Sequence, residues 1–186
     1  MRIIAGKFKG KKINLPEDRT TRPLRDLVKE SLFNVIEHSN KININLKNST
    51  ILDLFAGSGS FGLEALSRGA RKCLFVENYN KVLKLLDENI KNLECQNSCL
   101  INKLDCFEFI EKLKKNELEL DIIFLDPPYR EKKINSLIEK ILKKKILSKN
   151  GIIIIHRHKK DNIKITEKLN ILDLRLYGIS KIIFAN

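Results

Sequence analysis

The chain has 186 residues, 42% of them apolar, and its 36 Lys and Arg outweigh 23 Asp and Glu to give a formal charge of +13 and a pI near 9.6. That length fits one domain able to bury roughly 70% of its unfolded surface without staples. No apolar run approaches the roughly 18 residues of a membrane span, and Met1-Arg2-Ile3-Ile4 soon meets a lysine, so the sequence argues against a membrane protein and a secretory signal. The excess of cations favours a polyanionic partner, because lysine and arginine release counterions from phosphates. Cys73, Cys95, Cys99 and Cys106 form no CxxC pair, and His156 and His158 flank an arginine without matching ligands. The expectation is reduced thiols in a cytoplasmic protein with no metal site.

Taken in chain order, residues 2–5 and 11–15 are short β-like stretches around Gly6-Lys7-Phe8-Lys9-Gly10, which predicts a basic hairpin ending at Pro16. A helix follows from Asp26, its predicted N-cap, to about Ser39, with Leu27, Val28, Leu32, Phe33, Val35 and Ile36 at helical spacing. Strands are then predicted over 50–54, 73–76, 99–102, 121–125 and 151–156, alternating with helices over 59–68, 81–93, 106–115 and 134–144. This alternation builds a parallel sheet flanked by helices. Residues 171–176 and 179–184, split by Tyr177-Gly178, predict a closing antiparallel hairpin. The whole reads as one α/β, Rossmann-like domain: an N-terminal hairpin and helix over 1–40, and a core over 48–186.

In open α/β sheets ligands bind beyond the carboxyl ends of the strands. Four acids stand there: Asp53, Glu77, Asp105 and Asp126. In so basic a chain, carboxylates converging on one crevice would repel one another without a cationic or donor-rich ligand. The loop Gly57-Ser58-Gly59-Ser60-Phe61-Gly62 matches GxGxxG, and Glu77 lies twenty residues beyond Gly57, a pattern that suits NAD or S-adenosylmethionine alike. Asp53 favours the latter: a pyrophosphate needs no anion beside it, whereas an ammonium and a sulfonium do. Phe55 belongs to the same loop, and Asp105 can accept from an adenine amino group.

Asp126-Pro127-Pro128-Tyr129 follows the apolar run Ile122-Ile123-Phe124-Leu125. Two prolines remove two N–H donors and leave carbonyls pointing outward. The exocyclic amine of a base is a poor nucleophile because its lone pair is delocalised. Asp126 and the Pro127 carbonyl can accept its two hydrogens and aim that lone pair at a methyl carbon, while Tyr129 stacks on the base.

With Leu52-Asp53-Leu54-Phe55-Ala56-Gly57-Ser58-Gly59 and Asp126-Pro127-Pro128-Tyr129 in place, the chain resembles a class I methyltransferase. The opening residues 2–10, Thr21-Arg22-Pro23, Asp26, Val28, Glu30, Leu32-Phe33-Asn34, Gly62-Leu63-Glu64-Ala65-Leu66-Ser67-Arg68-Gly69-Ala70 and Tyr177-Gly178 extend the match over nearly the whole chain, and they resemble the RsmD family of bacterial 16S ribosomal RNA methyltransferases. That resemblance implies methylation of a loop guanine at N2, on a small-subunit particle and with no obligate protein partner. Asp53, Phe55, Gly57, Ser58, Gly59, Glu77 and Asp105 would hold S-adenosylmethionine, Asp126 to Tyr129 the guanine, and Lys7, Lys9, Lys11, Arg22 and Arg25 the RNA. The sequence departs from the family pattern at Leu24, Arg25, Leu27 and His156, the last standing where glutamate is expected. The competing expectations are an adenine-N6 DNA methyltransferase, an NAD-dependent oxidoreductase and a non-catalytic RNA-binding assembly factor.

Overall fold

The computed structural model describes residues 1–16, 24, 26–128, 130–161 and 164–186. Its elements run α1 (Asp26–His38), β1 (Thr50–Asp53), α2 (Ser60–Ser67), β2 (Lys72–Val76), α3 (Asn80–Asn92), β3 (Cys99–Asn102), α4 (Cys106–Lys112), β4 (Leu120–Leu125), α5 (Ile134–Lys144), β5 (Leu147–His158), β6 (Ile171–Tyr177) and β7 (Ser180–Ala185). The seven strands order as β3-β2-β1-β4-β5-β7-β6. Five are parallel, and β7 enters antiparallel between β5 and β6. A dinucleotide fold instead runs 3-2-1-4-5-6 without that inserted strand, so the topology sides with a class I methyltransferase.

Period-two alternation divides the core. Ile51, Ile122, Phe124, Ile152, Ile154, Ile182 and Phe184 face one side and pack with α1, α2 and α3, while Leu52, Ile123, Leu125, Ile153, Ile155 and Ile183 face the other with α4 and α5. Each helix contributes its apolar stripe: Leu32, Phe33 and Ile36 from α1 to the first cluster, Leu137, Ile138 and Ile141 from α5 to the second.

The expected N-terminal hairpin is present in outline but not as a ladder. A single bridge joins Arg2 to Lys12, supported by Ile3 N to Lys11 O (2.9 Å) and Ile13 N to Met1 O (2.9 Å). The reason is competition from Glu64 on α2. The amides of Ile4 and Ala5 donate to its carboxylate at 2.8 and 3.0 Å, and Lys7 N and Phe8 N donate to Ser67 at 2.8 and 2.9 Å. Glu64 is fully buried and also meets Lys29 Nζ of α1 at 3.4 Å and Arg68 Nε at 2.8 Å. Lys29 Nζ in turn donates to Arg2 O at 2.8 Å. One carboxylate thus fastens the N-terminal segment, α1 and α2 together, and burial pulls the Lys29 ammonium below its ordinary pKa despite Glu64.

Candidate active site

A cleft of about 1330 Å³ opens beyond the carboxyl ends of β1, β2 and β4 and is lined by Asp53, Phe55, Gly57, Ser58, Glu77, Asp105, Asp126, Pro127 and Pro128. All four strand-end acids therefore meet in one place. The loop after β1 shapes its floor. Gly59 takes φ +81°, and a Cβ there would lie 2.5 Å from Leu86 Cδ1, so a larger residue would strain the backbone and have to displace that side chain. A Cβ on Gly62 would lie 2.3 Å from the Phe75 ring, which is how α2 comes to rest against β2.

Asp53 is 1% exposed. Its Oδ2 accepts from Gly62 N at 3.3 Å, while Oδ1 is buried with no hydrogen-bond partner among the described residues. Burial, then repulsion from Asp126 and Glu77, raises its carboxyl to about 8 against the lowering effect of the Gly62 amide. A buried acceptor without a donor calls for a cation or N–H beside it, as the ammonium of S-adenosylmethionine would provide.

Glu77 binds back across the loop. Its Oε1 accepts from the Asn78 and Tyr79 amides at 2.9 Å, and Oε2 accepts from Gly57 N at 2.9 Å. A carboxylate offers about four acceptor positions, so one remains, on Oε2, for a ribose hydroxyl. Asp105 caps α4 by accepting from Phe107 N through Oδ1 at 2.8 Å, and its Oδ2 meets Asn78 Nδ2 at 3.4 Å. Its cap role and its place in the cleft coexist. These donors and acceptors fit the cofactor expected from the sequence.

On the adjoining side, Asp126 Oδ1 lies 2.8 Å from His156 Nδ1. The loop it begins is clamped from below by Arg157, a buried residue whose Nη1 donates to Pro128 O at 3.3 Å and Nη2 to Glu131 O at 3.2 Å, with its Nε paired to Asp161. Sequence reasoning missed Arg157 because nothing in it shows that the end of β5 lies under the loop after β4. It also missed Asn89, a buried α3 residue that donates to Ser58 O at 2.9 Å and Asn14 O at 3.0 Å and so joins the glycine loop to the N-terminal segment.

The structure keeps Lys7, Lys9 and Lys11 away from this cleft. They are exposed on the hairpin tip beside Ser67, the last residue of α2. The eight residues of α2 span about 12 Å at 1.5 Å each, which separates the tip from the glycine loop. Tyr129, Arg22 and Arg25 lie outside the described residues. Among the described residues there is no group of three or more side chains able to hold a metal ion, and no helix is long and apolar enough to cross a membrane.

The family described as Conserved hypothetical protein 95 matches residues 1–186, the full sequence. Ribosomal RNA small subunit methyltransferase D of Haemophilus influenzae is 33% identical over 181 residues, 96% of this chain and 90% of that protein. The chain belongs to the RsmD family. Its RsmD relative from Buchnera aphidicola (Acyrthosiphon pisum) is 35% identical over 161 residues, 87% of this chain and 80% of that one. The solved structure of the putative methyltransferase yhhF from Escherichia coli shares the fold with a TM-score of 0.84 and 24% identity, covering 100% of this chain and 96% of the other.

Proposed function

We propose that this protein transfers a methyl group from S-adenosylmethionine to the N2 amino group of a guanine in 16S ribosomal RNA, by direct displacement and on a small-subunit particle in the cytoplasm. Membership of the RsmD family and the rRNA methyltransferase names of its relatives support S-adenosylmethionine-dependent methylation of rRNA. The observation that carries the choice of an amino nitrogen is the place of Asp126 and Pro127 in the cleft beside Asp53 and the glycine loop.

When bound, S-adenosylmethionine supplies an electrophilic methyl group on a sulfonium, so positioning suffices and no covalent enzyme intermediate is needed. Asp53, the Glu77 Oε2 acceptor and Asp105 would hold it. Pro128 O is taken by Glu131 N at 2.9 Å and by Arg157, so of the two proline carbonyls the one left to receive an amino hydrogen is that of Pro127. The Asp126 carboxylate receives the other hydrogen. As the nitrogen–methyl bond forms and the sulfur–methyl bond breaks, the proton lost by nitrogen passes to Asp126. Tyr129 would stack on the base. A target base must leave its stack to reach this depth, which favours a loop guanine.

The test is transfer of a labelled methyl group to small subunits that lack the modification, compared with free 16S rRNA and duplex DNA. Label in N2-methylguanine of the subunits is expected. No transfer with cofactor bound, or transfer to adenine N6 in DNA, contradicts the proposal.

A further inference from the structure

Four polar side chains cross the top of one face of the sheet in spatial order: Asp53 on β1, Asp126 after β4, His156 on β5 and Ser180 on β7. Their common face follows from the period-two rule, since each lies two residues from a member of the same core cluster: Ile51, Phe124, Ile154 and Ile182. The last three form a continuous chain. Asp126 Oδ1 lies 2.8 Å from His156 Nδ1, and His156 Nε2 lies 2.9 Å from Ser180 Oγ. Ser180 is 7% exposed, and the side chains of His156 and Asp126 are 18% and 23% exposed, so the chain is largely sheltered from water.

A carboxylate accepts and does not donate, which requires His156 to present Nδ1–H to Asp126. The Ser180 hydroxyl can then donate to Nε2 and fix the ring as that tautomer, just as an orienting group fixes the imidazole in a hydrolase triad. We propose that His156 is a positioning residue for methyl transfer: its Nδ1–H anchors Asp126 by Oδ1, with Ser180 holding the tautomer, so that Oδ2 is presented to the amino group of the base. This role rests on the proposed function and adds to it a residue that stands where the family resemblance implies glutamate. The Nδ1–H contact on Oδ1 leaves Asp126 Oδ2 able to accept, and His156 takes no proton from the substrate itself. The proton lost by nitrogen goes to Asp126 Oδ2, while the Nδ1–H bond to Oδ1 stays in place.

Two variants and one spectrum test it. His156→Leu removes the donor at similar bulk, whereas the side-chain amide of His156→Asn can place an N–H close to where Nδ1–H lies. The expected result is a kcat lowered on the order of 10-fold to 100-fold in His156→Leu and restored to within about fivefold of the parent in His156→Asn. KM for the RNA substrate and the calorimetric affinity for S-adenosylhomocysteine should stay within about twofold in both. Long-range ¹H–¹⁵N spectra of the parent protein should show the Nδ1–H tautomer for His156, and Ser180→Ala should shift that signature. Equal losses in the Leu and Asn variants, a loss confined to KM or cofactor affinity, or an Nε2–H tautomer would overturn the role alone, provided the parent protein methylates rRNA. A parent protein that binds cofactor and methylates no RNA would overturn the role together with the function beneath it.

Discussion

The Gly57 amide donates to Glu77 Oε2 at 2.9 Å, so the acid that follows β2 helps to hold the glycine loop that follows β1. Glu77 therefore holds the loop, and under the proposed function its remaining acceptor position would hold the cofactor. Glu77→Ala is expected to weaken S-adenosylhomocysteine binding on the order of 10-fold to 100-fold, because a charge-assisted contact and an ordered loop are lost together. Titration calorimetry reads this directly, and an affinity within about twofold of the parent would remove Glu77 from the cofactor site.

Asp53 is expected to make cofactor binding pH-dependent. Its carboxyl is raised from 3.8 to about 8 in the free protein. A raised acid binds a proton on folding, so its contribution to stability is intact below pH of about 4 and is lost as the pH climbs toward 8. A cationic ligand favours the ionised form, so binding should release a proton below pH 8 and tighten as the pH rises from 6 to 8. Calorimetry in buffers of different ionisation enthalpy measures that proton. Asp53→Asn should abolish the release, and a release that persists in this variant would place it elsewhere.

Glu64 is the mechanical counterpart of these site residues. Glu64→Ala leaves Lys29, which is fully buried, and the Ile4 and Ala5 amides without their shared acceptor. Breaking a buried pair in this way costs about 3 to 5 kcal/mol, or a fall in Tm on the order of 10 °C for a chain of this size. Thermal unfolding followed by circular dichroism checks it. Because the same carboxylate anchors the segment that carries Met1 and Leu15 to the cleft, cofactor affinity should fall as well.

The hairpin lysines make a separable contribution. Replacing Lys7, Lys9 and Lys11 together with Ala should leave S-adenosylhomocysteine affinity unchanged, since none of the three lines the cleft and the segment that carries them bonds to Ser67 at the far end of α2 from the glycine loop. RNA binding should weaken, with the slope of log K against log salt reduced by roughly two to three. An unchanged slope would assign these cations to the solvated surface.

Elements with strong periodicity were legible in the sequence: α5 and β3 end where their apolar patterns end, and the strand-end rule found the acids that meet in the cleft. Other features depended on partners that no local pattern names. β5 begins at Leu147 rather than Gly151 because Leu147 pairs with Leu120 across an irregular register, although Lys149 and Asn150 interrupt the apolar run. α4 stops at Lys112 instead of 115, since Leu113 leaves the helix with ψ 136° and Lys114 N turns to the Glu117 side chain. The N-terminal stretches expected as a β-hairpin keep only the single Arg2–Lys12 bridge, because Glu64, some sixty residues away, captures the Ile4 and Ala5 amides. The sequence marks His156 only as a histidine without matching ligands and a departure from the family pattern, and its contact with Asp126, like the Arg157 clamp, was not foreseen for a similar reason. Their meaning depends on β5 lying next to β4 and on β7 inserting beside β5, and spacing along the chain carries neither fact.

The central claim is tested most directly by mass mapping of methylated nucleosides in 16S rRNA from cells that contain the parent protein, Asp126→Ala, or no such protein. The account predicts one N2-methylguanine present with the parent, absent without the protein and nearly absent with Asp126→Ala, whose transfer rate should be lower on the order of 100-fold or more while cofactor affinity holds. An identical set of N2-methylguanines in all three, or full modification by Asp126→Ala, would contradict it.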